Sequence, residues 1–155
     1  VAQAMGERDA LVAGEESGGF SIRGHIREKD GVLMALLAAV ANAEEPLDDR
    51  VDRLLAEHGE IHQGKVSVDC PDERKEGVID ALGESIPETV AGTAVVDVVQ
   101  TDGFKLLLDD GAWLLVRPSG TEPKMRVYAE GPSADRVAEL LADGERLVAS
   151  IVSGR

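Results

Sequence analysis

The sequence predicts an α+β domain, an antiparallel sheet with helices on one face, preceded by a partial α/β domain. Three observations lead there. Residues 65–70, 93–99, 104–108, 113–116 and 125–129 carry strand patterns, and helical patterns follow the first and the last of them. Upstream, two helical stripes follow one short strand signal, and residues 59–64 form a Gly-bounded break between the two parts. We therefore divide the chain into residues 1–59 and 60–155.

Taken in order, residues 1–5 read as a helix with no partner before it, which suggests a chain cut from a longer protein. The apolar run 10–13, ending at Gly14, predicts a buried strand that runs into a polar loop over 15–29. Asp30 is placed to cap a helix in which Leu33, Leu36, Leu37 and Val40 recur at helical spacing. Most positions between them are also apolar, which predicts a buried helix. Pro46 can open the next helix, striped by Leu47, Val51, Leu54 and Leu55 and ended by Gly59.

Beyond the break, Val66, Val68 and Cys70 alternate on one strand face, and Pro71-Asp72-Glu73 starts a helix with Val78, Ile79 and Leu82 inward. Residues 87–92 interrupt the pattern before the strand at 93–99. Asp109-Asp110-Gly111 suits a hairpin turn between the strands at 104–108 and 113–116. Ser133 can cap a last helix with Val137, Leu140, Leu141, Leu147, Val148 and Ile151 inward.

Composition narrows the function. Hydrophobic residues make up 43% and aromatic ones only 3%, so the core is expected from Leu, Val, Ile and Ala. Thirty acidic against 16 basic residues give a net charge of −14, which argues against a nucleic-acid duplex or an anionic membrane as partner. The single cysteine, Cys70, allows no intrachain disulfide and fits a reducing, cytoplasmic setting, with a small core hydrophobe as its expected role. The longest apolar stretch, 32–41, is too short for a bilayer and no secretory leader opens the chain, so a soluble protein is expected.

Three segments carry candidate chemistry. The first is Arg117-Pro118-Ser119-Gly120-Thr121-Glu122-Pro123-Lys124-Met125-Arg126, between the last two predicted strands. Antiparallel pairing of those strands brings both guanidinium groups to the mouth of one loop. Ser119 and Thr121 add hydroxyls, and Gly120 lets backbone amides face a ligand. Phosphate is the natural guest, a reading we prefer to that of a plain turn, which needs no flanking arginines.

The second is Gly14-Glu15-Glu16-Ser17-Gly18-Gly19, just after a strand, where carboxylates and a hydroxyl can meet sugar hydroxyls. A solvated turn or a metal site fits the same residues. The third is Arg23-Gly24-His25-Ile26-Arg27-Glu28-Lys29-Asp30-Gly31, where Lys29 can meet a phosphate oriented by His25. From composition alone a solvated loop with a helix cap is the preferred reading of this segment. His58 and His62 are four apart, but Gly59 between them at a helix end argues against a zinc site. There is no P-loop, dinucleotide fingerprint or Ser-His-Asp pattern.

Together, Gly14-Glu15-Glu16-Ser17-Gly18-Gly19, the His25-Ile26-Arg27-Glu28-Lys29-Asp30-Gly31 run, and Arg117-Pro118-Ser119-Gly120-Thr121-Glu122-Pro123 followed by Arg126-Val127-Tyr128 resemble the α-D-phosphohexomutase family in order and separation. The resemblance implies a four-domain parent, with this chain as the later part of the third domain and the whole fourth. It implies transfer of a phosphoryl group between the 1 and 6 oxygens of a hexose, glucose or mannose, through a phosphoserine enzyme. A glucose or mannose bisphosphate serves as intermediate and activator. The phosphoserine loop and the Mg²⁺ loop of the family match nothing here, so no catalytic residue and no metal ligand is expected in this chain, and the fragment alone should be inactive.

By the same resemblance, Glu15 and Ser17 hold sugar hydroxyls and Lys29 is a cleft residue. Arg117, Ser119, Gly120, Thr121 and Arg126 hold the phosphate that is not reacting. The implied partners are a phosphorylated hexose and the remaining N-terminal domains of the parent. Many relatives have His where Gly19 stands, so the contact of that imidazole is missing or replaced. Glu16, rather than Gln or Met, resembles phosphoglucomutase-type members. The alternatives are a stand-alone sugar-phosphate or anion-binding module and a fragment of a phosphoglucosamine mutase.

The acidic surface, with Arg outnumbering Lys, also suits a chain that works in concentrated salt. Its melting temperature is expected to rise as KCl is added, and a melt indifferent to salt would remove that reading.

Overall fold

The computed structural model describes residues 2–15, 18–26 and 28–154. The chain divides into two compact units, Val1–His58 and Gly59–Arg155.

The first unit contains α1 (Ala2–Glu7), β1 (Val12–Gly14), β2 (Phe20–Ile22), α2 (Gly31–Glu44) and α3 (Leu47–His58). β1 and β2 pair antiparallel with Gly14 opposite Phe20. Two expectations are corrected here. The apolar run before Gly14 is an exposed hairpin strand, with Leu11 and Val12 open to solvent, and its partner lies inside the segment expected to be loop. α2 is also exposed, with no buried residue, and Val32 is 75% accessible. Apolar residues on most sides call for neighbours on most sides. α2 has α3 as its main contact, and α3 likewise buries no residue. The predicted caps do form: Asp30 Oδ1 accepts from Val32 N and Leu33 N at 3.0 Å each, and Gly59 follows α3 at φ +88°.

The second unit is a six-stranded antiparallel sheet with two helices. Its elements are β3 (His62–Asp69), α4 (Asp72–Glu84), β4 (Thr89–Val90), β5 (Thr93–Val99), β6 (Phe104–Leu108), β7 (Trp113–Pro118), β8 (Lys124–Gly131) and α5 (Ala134–Ser153). The strand order is β3-β8-β7-β6-β5-β4. β4 lies within the stretch expected only to break the pattern, and β3 begins three residues before the predicted strand.

Alternation decides what faces what. Leu106, Leu114, Val116, Met125, Val127 and Ala129 are essentially inaccessible on one face of the sheet, where they pack with Val78 and Leu82 of α4 and Val137, Leu140 and Val148 of α5. Cys70 joins this core, and burial, the main cause, pushes its thiol up from the ordinary value. Gly144 of α5 is required by close approach: a Cβ there would lie 2.7 Å from Val127 Cγ1 and 3.0 Å from both Leu114 methyls. Ser133 Oγ accepts from Arg136 N at 3.2 Å to cap α5, and Gly111 at φ +81° closes the β6–β7 hairpin.

Leu140→Ala is expected to cost about 2–5 kcal/mol, the scale for emptying a fully buried leucine site. Urea unfolding followed by Trp113, the only tryptophan, reads this directly. Leu36→Ala, on the exposed face of α2, should leave that transition within about 0.5 kcal/mol.

Candidate phosphate-binding loop

The β7–β8 register sets the site. Arg117 stands directly opposite Arg126, and Pro118 opposite Met125, so the loop from Ser119 to Pro123 springs from a cationic pair. Because Val116 and Val127 point into the core, the two arginines project from the other face.

The loop backbone is fastened at several points. Ser119 N donates to Lys124 O and Cys70 N to Pro123 O, both at 2.9 Å. Lys75 of α4, nearly buried, donates to the carbonyls of Ser119 and Glu122 at 2.6 Å each and pairs with Asp72 at 2.6 Å. Ser119 is itself buried, and its Oγ accepts from Glu122 N at 3.3 Å. It braces the turn from inside. Gly120 and Thr121 are exposed, and the space where a Gly120 Cβ would stand is open.

The arginines already have partners. Arg117 Nη1 meets Asp102 Oδ2 at 2.8 Å and Arg126 Nη2 meets Glu122 Oε2 at 2.6 Å. Asp102 is 76% and Glu122 47% exposed. Ion pairs this open to water contribute about 0–1 kcal/mol, so an anion that meets both guanidinium groups can replace them at little cost. Arg126 Nε is a buried donor without a partner among the described residues.

Tyr128, two residues beyond Arg126 on the same strand face, completes the cluster. Its hydroxyl accepts from Arg117 Nη2 at 3.3 Å, and the Arg117 guanidinium carbon lies 5.4 Å from the ring centroid. Burial works to raise the Tyr128 pKa, but hydrogen bonds from Arg117 and Arg126 and their charges outweigh it and hold the group below its ordinary value. The same contact with Tyr128 is the first cause that raises both arginines.

The first unit places Glu15 and Lys29 together: Lys29 Nζ lies 2.7 Å from Glu15 Oε2. That hydrogen bond, reinforced by charge, holds the ammonium above its usual value. Glu15 N donates to Gly19 O and Gly18 N to Glu15 O, each at 2.9 Å, which closes the β1–β2 turn. A Cβ at position 19 would stand 2.3 Å from Lys29 Cδ, so the lysine stem occupies the space that a larger residue there would enter. His25 Nε2 lies 2.8 Å from Asp30 Oδ2, which ties it to the α2 cap. Glu16 and Ser17 lie outside the described residues.

Lys75, Asp102 and Tyr128 were not assigned by sequence reasoning. Tyr128 was within reach of it, since strand alternation puts residues 126 and 128 on one face. Asp102 comes to Arg117 because Gly103, at φ +130°, lies where a Cβ would be 2.3 Å from Val116 O. No local pattern marks Lys75, which arrives through tertiary packing. Among the described residues, no group of three or more His, Cys, Asp or Glu side chains is placed to hold a metal ion. None of the described helices is long and apolar enough to cross a membrane.

The second unit is an antiparallel sheet with helices on one face and a fastened, arginine-flanked loop at one end, and comparison with known proteins assigns its class. Residues 66–147 match the model for the phosphoglucomutase/phosphomannomutase C-terminal domain, and residues 1–58 match that for alpha/beta/alpha domain III of the same proteins. The chain belongs to the phosphoglucomutase/phosphomannomutase family. It is 34% identical over 137 residues to a probable phosphoglucosamine mutase of Methanothermobacter thermautotrophicus, with 88% of this chain and 29% of the relative covered. A phosphopentomutase of Thermococcus kodakarensis is 37% identical over 121 residues, covering 78% and 26%. A phosphoglucomutase/phosphomannomutase of the same organism is 29% identical over 154 residues, covering 99% and 32%. The chain thus spans less than a third of each of these relatives. A solved phosphoglucomutase/phosphomannomutase family protein from Burkholderia thailandensis shares the fold, with a TM-score of 0.68 at 21% identity over 97% of this chain and 30% of that one.

Lys75→Met removes the donor to two loop carbonyls, and the loss is expected to be about 1–3 kcal/mol. Faster amide exchange at Ser119 and Glu122 should accompany it. Unchanged exchange and an unchanged melt would show that Lys75 does not fasten the loop.

Proposed function

We propose that this chain is the substrate-holding C-terminal part of a phosphohexomutase that interconverts hexose 1-phosphates and 6-phosphates, and that its loop at 117–126 holds the phosphate that is not being transferred. One observation carries this reading: Arg117 and Arg126 stand in register across the mouth of a fastened loop, in a chain whose net charge is −14. Two cations held opposite each other are costly unless an anion uses them.

The roles follow from the chemistry of each group. Arg117 and Arg126 give charge-assisted hydrogen bonds to phosphate oxygens, Gly120 admits the ligand close to the backbone, and Thr121 offers an exposed hydroxyl. Ser119 keeps the turn in shape. Fixing one phosphate positions the far end of the sugar for reaction, and positioning of this kind lowers a barrier without any bond to the protein. In the first unit, Glu15 and Ser17 take sugar hydroxyls, and Lys29, held by Glu15, is the nearby cation.

The chemistry itself we assign to the rest of the parent protein, with its phosphoserine, its Mg²⁺ and a hexose bisphosphate intermediate, in the cytoplasm. This chain alone is then inactive. Glucose and mannose phosphates are our proposed substrates. The relatives' names extend to glucosamine and pentose phosphates, so these belong in the same assay panel.

Isothermal titration of this chain with inorganic phosphate and glucose 6-phosphate tests the binding role, and assay of the full-length parent on the sugar panel tests the reaction. Arg117→Ala is expected to weaken phosphate binding by about 1–3 kcal/mol, the scale for losing a charge-assisted hydrogen bond. Absence of phosphate binding by the unaltered chain would overturn the loop assignment, and turnover by this chain alone would overturn the division of labour.

A further inference from the structure

The two guanidinium groups of the loop face an electrostatic problem that carboxylates only partly solve. Arg117 and Arg126 are register partners on adjacent strands, where like charges directly opposite repel. Asp102 and Glu122 approach them from exposed positions, but an incoming anion must compete with both carboxylates. Something else has to keep the donors together when the carboxylates are displaced.

We propose that Tyr128 is the positioning residue of the anion site: its hydroxyl oxygen accepts from Arg117 and its ring lies against the same guanidinium, which holds Arg117 in place opposite Arg126. The inference rests on the phosphate-loop reading above. Tyr128 is on the same strand face as Arg126, and Leu115 of β7 and Lys65 of β3 are its register partners. Its oxygen is 3.3 Å from Arg117 Nη2, and the Arg117 guanidinium carbon lies 5.4 Å from its ring centroid. A phenol oxygen that accepts from Arg117 Nη2 holds that guanidinium while its Nη1 can exchange Asp102 for a ligand, and it carries no charge that would repel one. A carboxylate in the same place would hold the arginines together but would cancel the field that attracts phosphate.

Ionisation reverses this role. The charged groups around the hydroxyl are Arg117, Arg126 and Lys65, with Asp102 and Glu122 behind the arginines. Loss of the phenolic proton places a negative charge beside the Arg117 guanidinium. Anion affinity must then fall as pH rises through the Tyr128 titration, which lies below the ordinary tyrosine value. By linkage, a bound anion must push the same titration upward.

Tyr128 is the only tyrosine, so the ultraviolet difference spectrum of phenolate reports this one group. Inorganic phosphate is titrated near neutral pH into the unaltered chain and into Tyr128→Phe, which keeps the ring over Arg117 and removes only the oxygen. The pH series then uses sulfate, whose charge is constant across the range. Phosphate binding about three- to tenfold weaker in Tyr128→Phe is expected, at an unchanged melting temperature. Sulfate affinity should decline with rising pH in the unaltered chain only, and phenolate formation in that chain should move to higher pH when sulfate is present. Equal phosphate affinity in the two proteins, or a phenolate titration indifferent to sulfate, would overturn the role of Tyr128 and leave the phosphate loop standing. If the variant does not fold, the phenolate measurement on the unaltered chain decides alone. Failure of the unaltered chain to bind either anion would overturn the loop assignment, and this proposal with it.

Discussion

The register of one strand pair governs the second unit on both of its faces. Val116 opposite Val127 is fully buried, and the next pair along, Arg117 opposite Arg126, points the other way. A slip of one residue would send an arginine into the core and a valine to solvent, so the apolar packing against α4 and α5 fixes the cationic pair as firmly as it fixes the sheet. The cost of placing like charges opposite each other is borne by the core on the far side and relieved locally by Tyr128, Asp102 and Glu122.

The loop that grows from this pair separates strong constraints from exchangeable ones. Its backbone is held by Lys75, by the Cys70 amide and by the Ser119–Lys124 hydrogen bond, all close to the core. Its charged side chains are held by carboxylates at the surface, where water competes and each pair contributes little. A ligand can therefore exchange the second set without disturbing the first. The first unit shows the same economy of means at Glu15 and Lys29, whose contact depends on the missing side chain at Gly19.

The two units differ in how much apolar surface they bury. Among the described residues, sixteen form the core cluster, all of them from Cys70 onward. In α2 and α3, Val32, Leu36, Val40, Val51 and Leu54 stand in solvent although their spacing is that of a packed helix. Helical periodicity reports that a face is suited to burial; it does not supply the surface that buries it.

That distinction also separates what could be read from what could not. The sequence by itself determined the α+β order of the second unit, the caps at Asp30 and Ser133, the turn at Gly111 and the opposition of Arg117 and Arg126, because each follows from local pattern or from adjacent antiparallel strands. Tertiary structure alone decided that Lys75 would fasten the loop from 44 residues away, that Asp102 would reach Arg117, that Lys29 would lie over Gly19, and that α2 would stay exposed. Contacts between segments distant in the chain depend on how whole elements pack, and no local periodicity encodes that packing.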